Sequence, residues 1–127
     1  MQKAGNAIFI SYRREDGAAF AGRLLDRLSD RFGAERVFMD VDDIEPGRDF
    51  VEAIDRAIGE CGVLLVVIGR QWLREQGEED FVAREIRAAL RNELKIVPIL
   101  IEGASMPEAA DLPADLAPFA RKNARSE

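Results

Sequence analysis

The segment Gly62-Val-Leu-Leu-Val-Val-Ile68 restricts the fold more than any other stretch of the chain. Six consecutive aliphatic residues follow the glycine. Side chains of an extended strand point alternately to its two faces, so this run must be covered on both. A strand buried on both faces belongs in the middle of a parallel sheet flanked by helices. Neither this run nor any other approaches the roughly 20 apolar residues that a membrane-spanning helix needs.

Apolar runs and helical periodicity alternate around that strand. Residues 7–11 form the first short apolar run. Asp16 is placed to cap the helix that follows. In it Phe20, Leu24, Leu25, Leu28 and Phe32 recur at helical spacing, opposite Arg23, Arg27 and Asp30, and Gly33 marks its end. Residues 36–40 read as a second strand and residues 41–48 as an acid-rich loop with Pro46-Gly47 as a turn signal. Asp49 and Glu52 make a capping-box pattern before a second helix, with Phe50, Ile54, Ile58 and Cys61 as its apolar stripe. Beyond the central strand lie a polar loop (69–79) with the only tryptophan, Trp72, and a helix over 80–92. A fourth strand spans 95–101, where Pro98 indicates an edge position or a bulge. A loop (102–113) and a short helix (114–121) follow. Four such alternations imply the α/β class. The expected fold is a flavodoxin-like parallel sheet with helices on both faces and the first strand inside. With 127 residues, no repeat and no low-complexity tract, one domain over 1–127 is expected.

Charge and composition narrow the function. The net charge is −6, from 18 basic and 24 acidic residues, which disfavours nonspecific nucleic-acid or anionic-membrane partners. The first residues carry no secretory pattern, and a lone cysteine makes no internal disulfide, so a cytoplasmic setting is expected. The sequence has no histidine. That removes the commonest general base and metal ligand, together with Ser-His and Cys-His nucleophile pairs. Chemistry in this chain rests on carboxylates, or on Lys and Arg as electrostatic groups. No cofactor and no metal is expected.

Candidate residues collect at strand ends. The first strand terminates in Ser11-Tyr-Arg-Arg-Glu-Asp16, a cluster of polar groups where α/β sheets bind ligands. Arg13 and Arg14 suit phosphate recognition, or form a solvated loop paired with Glu15 and Asp16. Asp40, Asp42, Asp43 and Glu45 follow the second strand. A Mg²⁺ site of the receiver-domain kind needs a further carboxylate at the end of the third strand, which closes in Ile68-Gly69, so a solvated loop is the stronger reading. Trp72 is either a core ring under a loop or a stacking platform. Ser11 has no base partner and lies in no nucleophile elbow. Cys61 reads as inert core. No glycine-rich dinucleotide fingerprint follows the first strand.

Glu85 stands out. At about 100° per residue, Phe81, Val82, Glu85, Ile86, Ala89 and Leu90 share one half of their helix, and Arg84, Arg87 and Arg91 the other. A carboxylate in an apolar arc costs free energy unless it is paired. Three readings stand: a structural ion pair with Arg13, Arg14 or Arg70, a position at the arc's edge reaching solvent, or a functional carboxylate in a half-desolvated cleft. The last could bind sugar hydroxyls and stabilise an oxocarbenium-like centre.

The sequence resembles the Toll/interleukin-1 receptor (TIR) domains of the bacterial type. Phe9-Ile-Ser-Tyr-Arg-Arg-Glu-Asp16 is similar to that family's first box. Val37-Phe-Met-Asp-Val-Asp-Asp-Ile-Glu-Pro-Gly47 is similar to its second strand and BB loop, and Asp80-Phe-Val-Ala-Arg-Glu-Ile-Arg-Ala-Ala-Leu90 to its αC segment. The resemblance implies a five-stranded flavodoxin-like fold. The family pattern continues past Ala124 into a fifth strand and last helix, so a domain lacking both is the expectation for a chain stopping at Glu127.

For many bacterial members the resemblance also implies cleavage of NAD⁺ at the nicotinamide–ribose bond, giving ADP-ribose or a cyclised form, within immune or anti-phage signalling switched on by self-assembly. The family's catalytic glutamate follows an aromatic by four residues, which Glu85 after Phe81 matches. Phe9, Ser11, Arg13, Arg14, Asp43, Trp72 and Phe81 are then the candidate substrate contacts. The BB loop maps to Asp42, Asp43, Ile44, Glu45, Pro46, Gly47 and Arg48, a surface for other TIR domains. Breaking this bond releases a neutral leaving group from a cation-like ribosyl centre, so the absence of histidine is no obstacle. The alternative is a non-catalytic interaction module or host-signalling mimic.

Overall fold

The structure, a computed structural model, describes residues 7–39, 50–72 and 81–126. The expectations for the acid-rich loop and for residues 73–80 lie outside the described residues. Five parallel strands form one sheet: β1 (Ala7–Ser11), β2 (Val37–Phe38), β3 (Cys61–Ile68), β4 (Lys95–Leu100) and β5 (Arg125–Ser126). Their spatial order is β2-β1-β3-β4-β5, the flavodoxin-like order with β1 inside.

β3 lies between β1 and β4, as its aliphatic run predicts. Leu64, Val66 and Ile68 enter the core on one face and Val67 on the other, each exposed by 1% or less. Against β1 the register shifts once: Ala7 faces Cys61 but Ile8 faces Val63, leaving Gly62 as the extra residue. Glycine tolerates such a bulge because it has no side chain to reorient. Against β4 the register is unbroken from Val63–Lys95 to Ile68–Leu100, so Pro98 marks no bulge. β5 pairs only with Ile99 and Leu100, so on that side of β4 Pro98 has no ladder to interrupt.

Helix α1 (Arg14–Phe32) covers one face through Phe20, Leu24, Leu25 and Leu28. Helices α2 (Phe50–Gly59) and α3 (Phe81–Arg91) cover the other, joined by Leu116 and Phe119 of a 3-10 helix (Ala114–Arg121). Right-handed crossovers dictate the division: β1 to β2 steps one way along the sheet, and every later connection reaches a strand on the opposite side. Gly17 brings the start of α1 close to the sheet, where an added Cβ would lie 3.3 Å from Val67 Cγ1. Among the described residues no helix is long and apolar enough to cross a membrane.

Several boundaries differ from the sequence reading. α1 starts at Arg14, and its N-cap is the extended Arg13, not Asp16; Arg13 forms no side-chain cap because its guanidinium reaches another loop. Phe32 is 43% exposed, so the apolar stripe of α1 ends a turn early. β2 is an edge strand paired only through Val37 and Phe38, shorter than the 36–40 expected. Cys61 opens β3 opposite Ala7 and does not belong to the stripe of α2, which stops at Gly59. The sheet also has a fifth strand, contrary to the expectation that the chain ends before it.

Candidate active site

Strand alternation and the crossovers put the buried polar groups on the same face and at the same end of the sheet. Phe9 of β1 packs in the core with Val82, Ala83 and Ile86 of α3. Ser11 and Arg13, two and four residues on, continue along that side at the carboxyl end of the sheet. α3 follows the β3–α3 connection and therefore starts at the same end, with Glu85 one turn inside it. The buried polar or charged residues among those described are Ser11, Arg13 and Glu85. All three sit on this face.

Glu85 is 5% exposed, between Val82 and Ile86, which are exposed by 7% and 0%. It does not reach solvent from the edge of the arc. A carboxylate held there is largely stripped of water, which strengthens its action on any cationic group that enters. The opposite side of α3 carries surface charge: Arg87 pairs with Asp115 and Arg91 with Asp55.

Arg13 is 7% exposed. Its Nε donates to the Trp72 carbonyl oxygen at 2.6 Å, and its Cζ lies 5.0 Å from the centroid of the indole. The Trp72 ring in turn packs against Phe119, centroids 5.8 Å apart and tilted by 32°. Trp72 is 3% exposed, so it is the core ring of the two readings open to it, and Phe9 at 3% is core as well. Neither ring stands exposed, although Trp72 borders a cleft at the ends of β3 and β4. Ser11 Oγ and Trp72 Nε1 are buried without a hydrogen-bond partner among the described residues. Of the other expected contacts, Arg14 opens α1 and Phe81 opens α3 one turn before Glu85, while Asp43 is outside the described residues.

Sequence reasoning missed a cleft of about 450 Å³ at the carboxyl ends of β3 and β4, lined by Gly69, Arg70, Trp72 and residues 103–108 among others. Its rim turns through two positive-φ residues, Glu102 at 53° and Gly103 at 77°. Arg70 Nε fixes that turn by donating to the Glu102 carbonyl oxygen at 2.6 Å. The signal in the sequence was Glu102-Gly103, but a turn signal does not tell which two strand ends it will separate. Among the described residues no three His, Cys, Asp or Glu side chains are grouped to hold a metal.

Fold and site together define a doubly wound α/β domain with a buried glutamate at the carboxyl edge of its sheet. The family model described as "TIR domain" matches residues 8–125, and the chain belongs to that family. It is similar to "NAD(+) hydrolase sarm1" of Drosophila melanogaster, 31% identical over 120 residues, covering 91% of this chain and 9% of that protein. It is likewise similar to "NAD(+) hydrolase SARM1" of Danio rerio, 30% identical over 125 residues, covering 96% of this chain and 17% of the relative. The chain thus spans less than a fifth of the length of either relative. The TIR domains in the structure of the activated Roq1 resistosome directly recognizing the pathogen effector XopQ superpose with a TM-score of 0.66 at 20% identity. That match covers 92% of this chain and 70% of the other, and supports the fold.

Proposed function

We propose that this domain is an NAD⁺ glycohydrolase with Glu85 as its catalytic carboxylate. The observation that carries the reading is the burial of Glu85, 5% exposed, one turn into the helix that starts at the sheet's carboxyl edge. The names of the two NAD(+) hydrolase relatives support it. As the bond between nicotinamide and the ribose C1′ breaks, its electron pair leaves with the ring, which becomes neutral. Positive charge then develops on the ribosyl centre. A desolvated carboxylate stabilises that charge more than it stabilises the ground state, which is the requirement for catalysis. Glu85 also accepts hydrogen bonds from the ribose hydroxyls. Water adds to C1′ and loses a proton, giving nicotinamide, ADP-ribose and one proton. Attack by an adenine nitrogen in place of water gives a cyclised product.

We place this activity in bacterial immune or anti-phage signalling in the cytoplasm, switched on when copies of the domain associate through the loop 42–48. The test is release of nicotinamide from NAD⁺ by protein clustered on a scaffold. Turnover is expected from the wild type, and a fall of about 10²–10³-fold in Glu85→Gln and Glu85→Ala. Equal rates in all three would overturn the assignment. A folded, clustered wild type without turnover would instead identify a non-catalytic interaction module.

A further inference from the structure

We infer that Arg13 is a positioning residue for Glu85 and not a ligand of the substrate's phosphates. The inference rests on the assignment of Glu85 above. Three elements meet at this one side chain. The Arg13 backbone is extended at φ −100° and ψ 137°, and its carbonyl accepts from Gly17 N at 2.9 Å, closing the first turn of α1. Its Nε holds the carbonyl oxygen of Trp72, the last described residue before the connection to α3. Its guanidinium lies against the indole, and the indole against Phe119, which is fully buried. The start of the β3–α3 connection is therefore bound to the start of α1 on one side and to the last 3-10 helix on the other. In the core, Trp72 shares one cluster with Val82, Ala83 and Ile86 of α3, the residues that flank Glu85.

The chemistry fits a clamp and not a phosphate site. The planar guanidinium can donate in its plane through Nε while its face lies on an aromatic ring, which an ammonium group cannot do. A charged donor to a buried carbonyl is among the stronger hydrogen bonds of a protein. Arg13 is 7% exposed, so its guanidinium offers a pyrophosphate almost no surface where it stands, and drawing it out would break the bond to the Trp72 carbonyl.

Arg13→Lys and Arg13→Gln in clustered protein, with separate kcat and KM for NAD⁺ and direct titration with ADP-ribose, test the assignment. The clamp predicts that kcat falls about 10- to 100-fold in both variants, while KM and ADP-ribose affinity stay within about threefold. A phosphate ligand predicts the reverse: lysine retains function, glutamine does not, and the loss is in KM and ADP-ribose affinity. The single tryptophan gives a readout independent of turnover. If the wild type is silent, the Glu85 reading fails by itself, and the clamp is judged by acrylamide quenching of Trp72. Quenching should rise in both variants and stay constant when the wild type is saturated with ADP-ribose. Unchanged quenching in the variants, or a rise on adding ADP-ribose to the wild type, overturns the clamp. The wild-type titration decides the matter should the variants not fold.

Discussion

At the first residue of β3, burial and a neighbouring charge act on the Cys61 thiol in the same direction. Cys61 is 1% exposed and its Sγ donates to the Ala57 carbonyl oxygen at 3.2 Å. Burial, with a smaller contribution from the Glu60 carboxylate, pushes its pKa from 9.0 up to about 12. The thiolate is the reactive form, so the native protein should resist a disulfide reagent at mildly alkaline pH and react fully once denatured. The same shift has a consequence for stability. Between pH 9 and about 12 the unfolded chain loses this proton while the folded chain keeps it, so stability falls as pH rises through that window. Urea midpoints measured at neutral pH and near pH 10 should fall more steeply for the wild type than for Cys61→Ala. Equal slopes would contradict the thiol's part in the effect. The burial of Cys61 was legible in its apolar surroundings. The role of Arg13 was not, because its partner Trp72 lies 59 positions away and no local pattern records that contact.

At the scale of single elements, α3 divides its two kinds of contact cleanly. Ile86, Ala88 and Ala89 are fully buried, whereas Arg87 and Arg91 keep 34% and 59% of their side chains exposed in ion pairs. Ile86→Ala should cost about 2–5 kcal/mol, since it opens a cavity that the packed sheet cannot refill. Arg87→Ala and Arg91→Ala should each cost less than about 1 kcal/mol, because water screens both pairs. Chemical denaturation of the three variants checks the ranking, and an arginine variant as destabilised as Ile86→Ala would refute it. This division was readable in advance because helical periodicity sorts side chains by face, and it placed Glu85 on the buried side. Boundaries were less readable. Nothing in Gly59-Glu60-Cys61-Gly62 distinguishes the last turn of a helix from the first residue of a strand. The outcome depended on pairing between Cys61 and Ala7. β2 likewise shortened because it sits at an edge with one partner strand. The bulge at Gly62 is a relation between two strands and has no signature in either alone.

At the scale of the whole molecule, the last quarter of the chain closes the fold from two separate positions. Leu116 and Phe119 complete the core over α3, and Phe119 also supports the Trp72 ring. β5, further on, adds only two pairs to the edge of β4. These roles predict different results from two shortened chains. A chain ending at residue 122 keeps every buried apolar side chain of the core and loses β5. It should still melt cooperatively, a few degrees lower, and scatter more light on heating because the edge of β4 is uncovered. A chain ending at residue 113 loses Leu116, Phe119 and the partner of Arg87, and uncovers the indole that Arg13 holds. It should show no cooperative transition and no near-ultraviolet signal from a fixed Trp72. If that chain melts as sharply as the full one, the core does not depend on its final 3-10 helix. If the chain ending at 122 fails to fold, the two residues of β5 contribute far more than a marginal edge pairing can, because every side chain that fills the core would still be present.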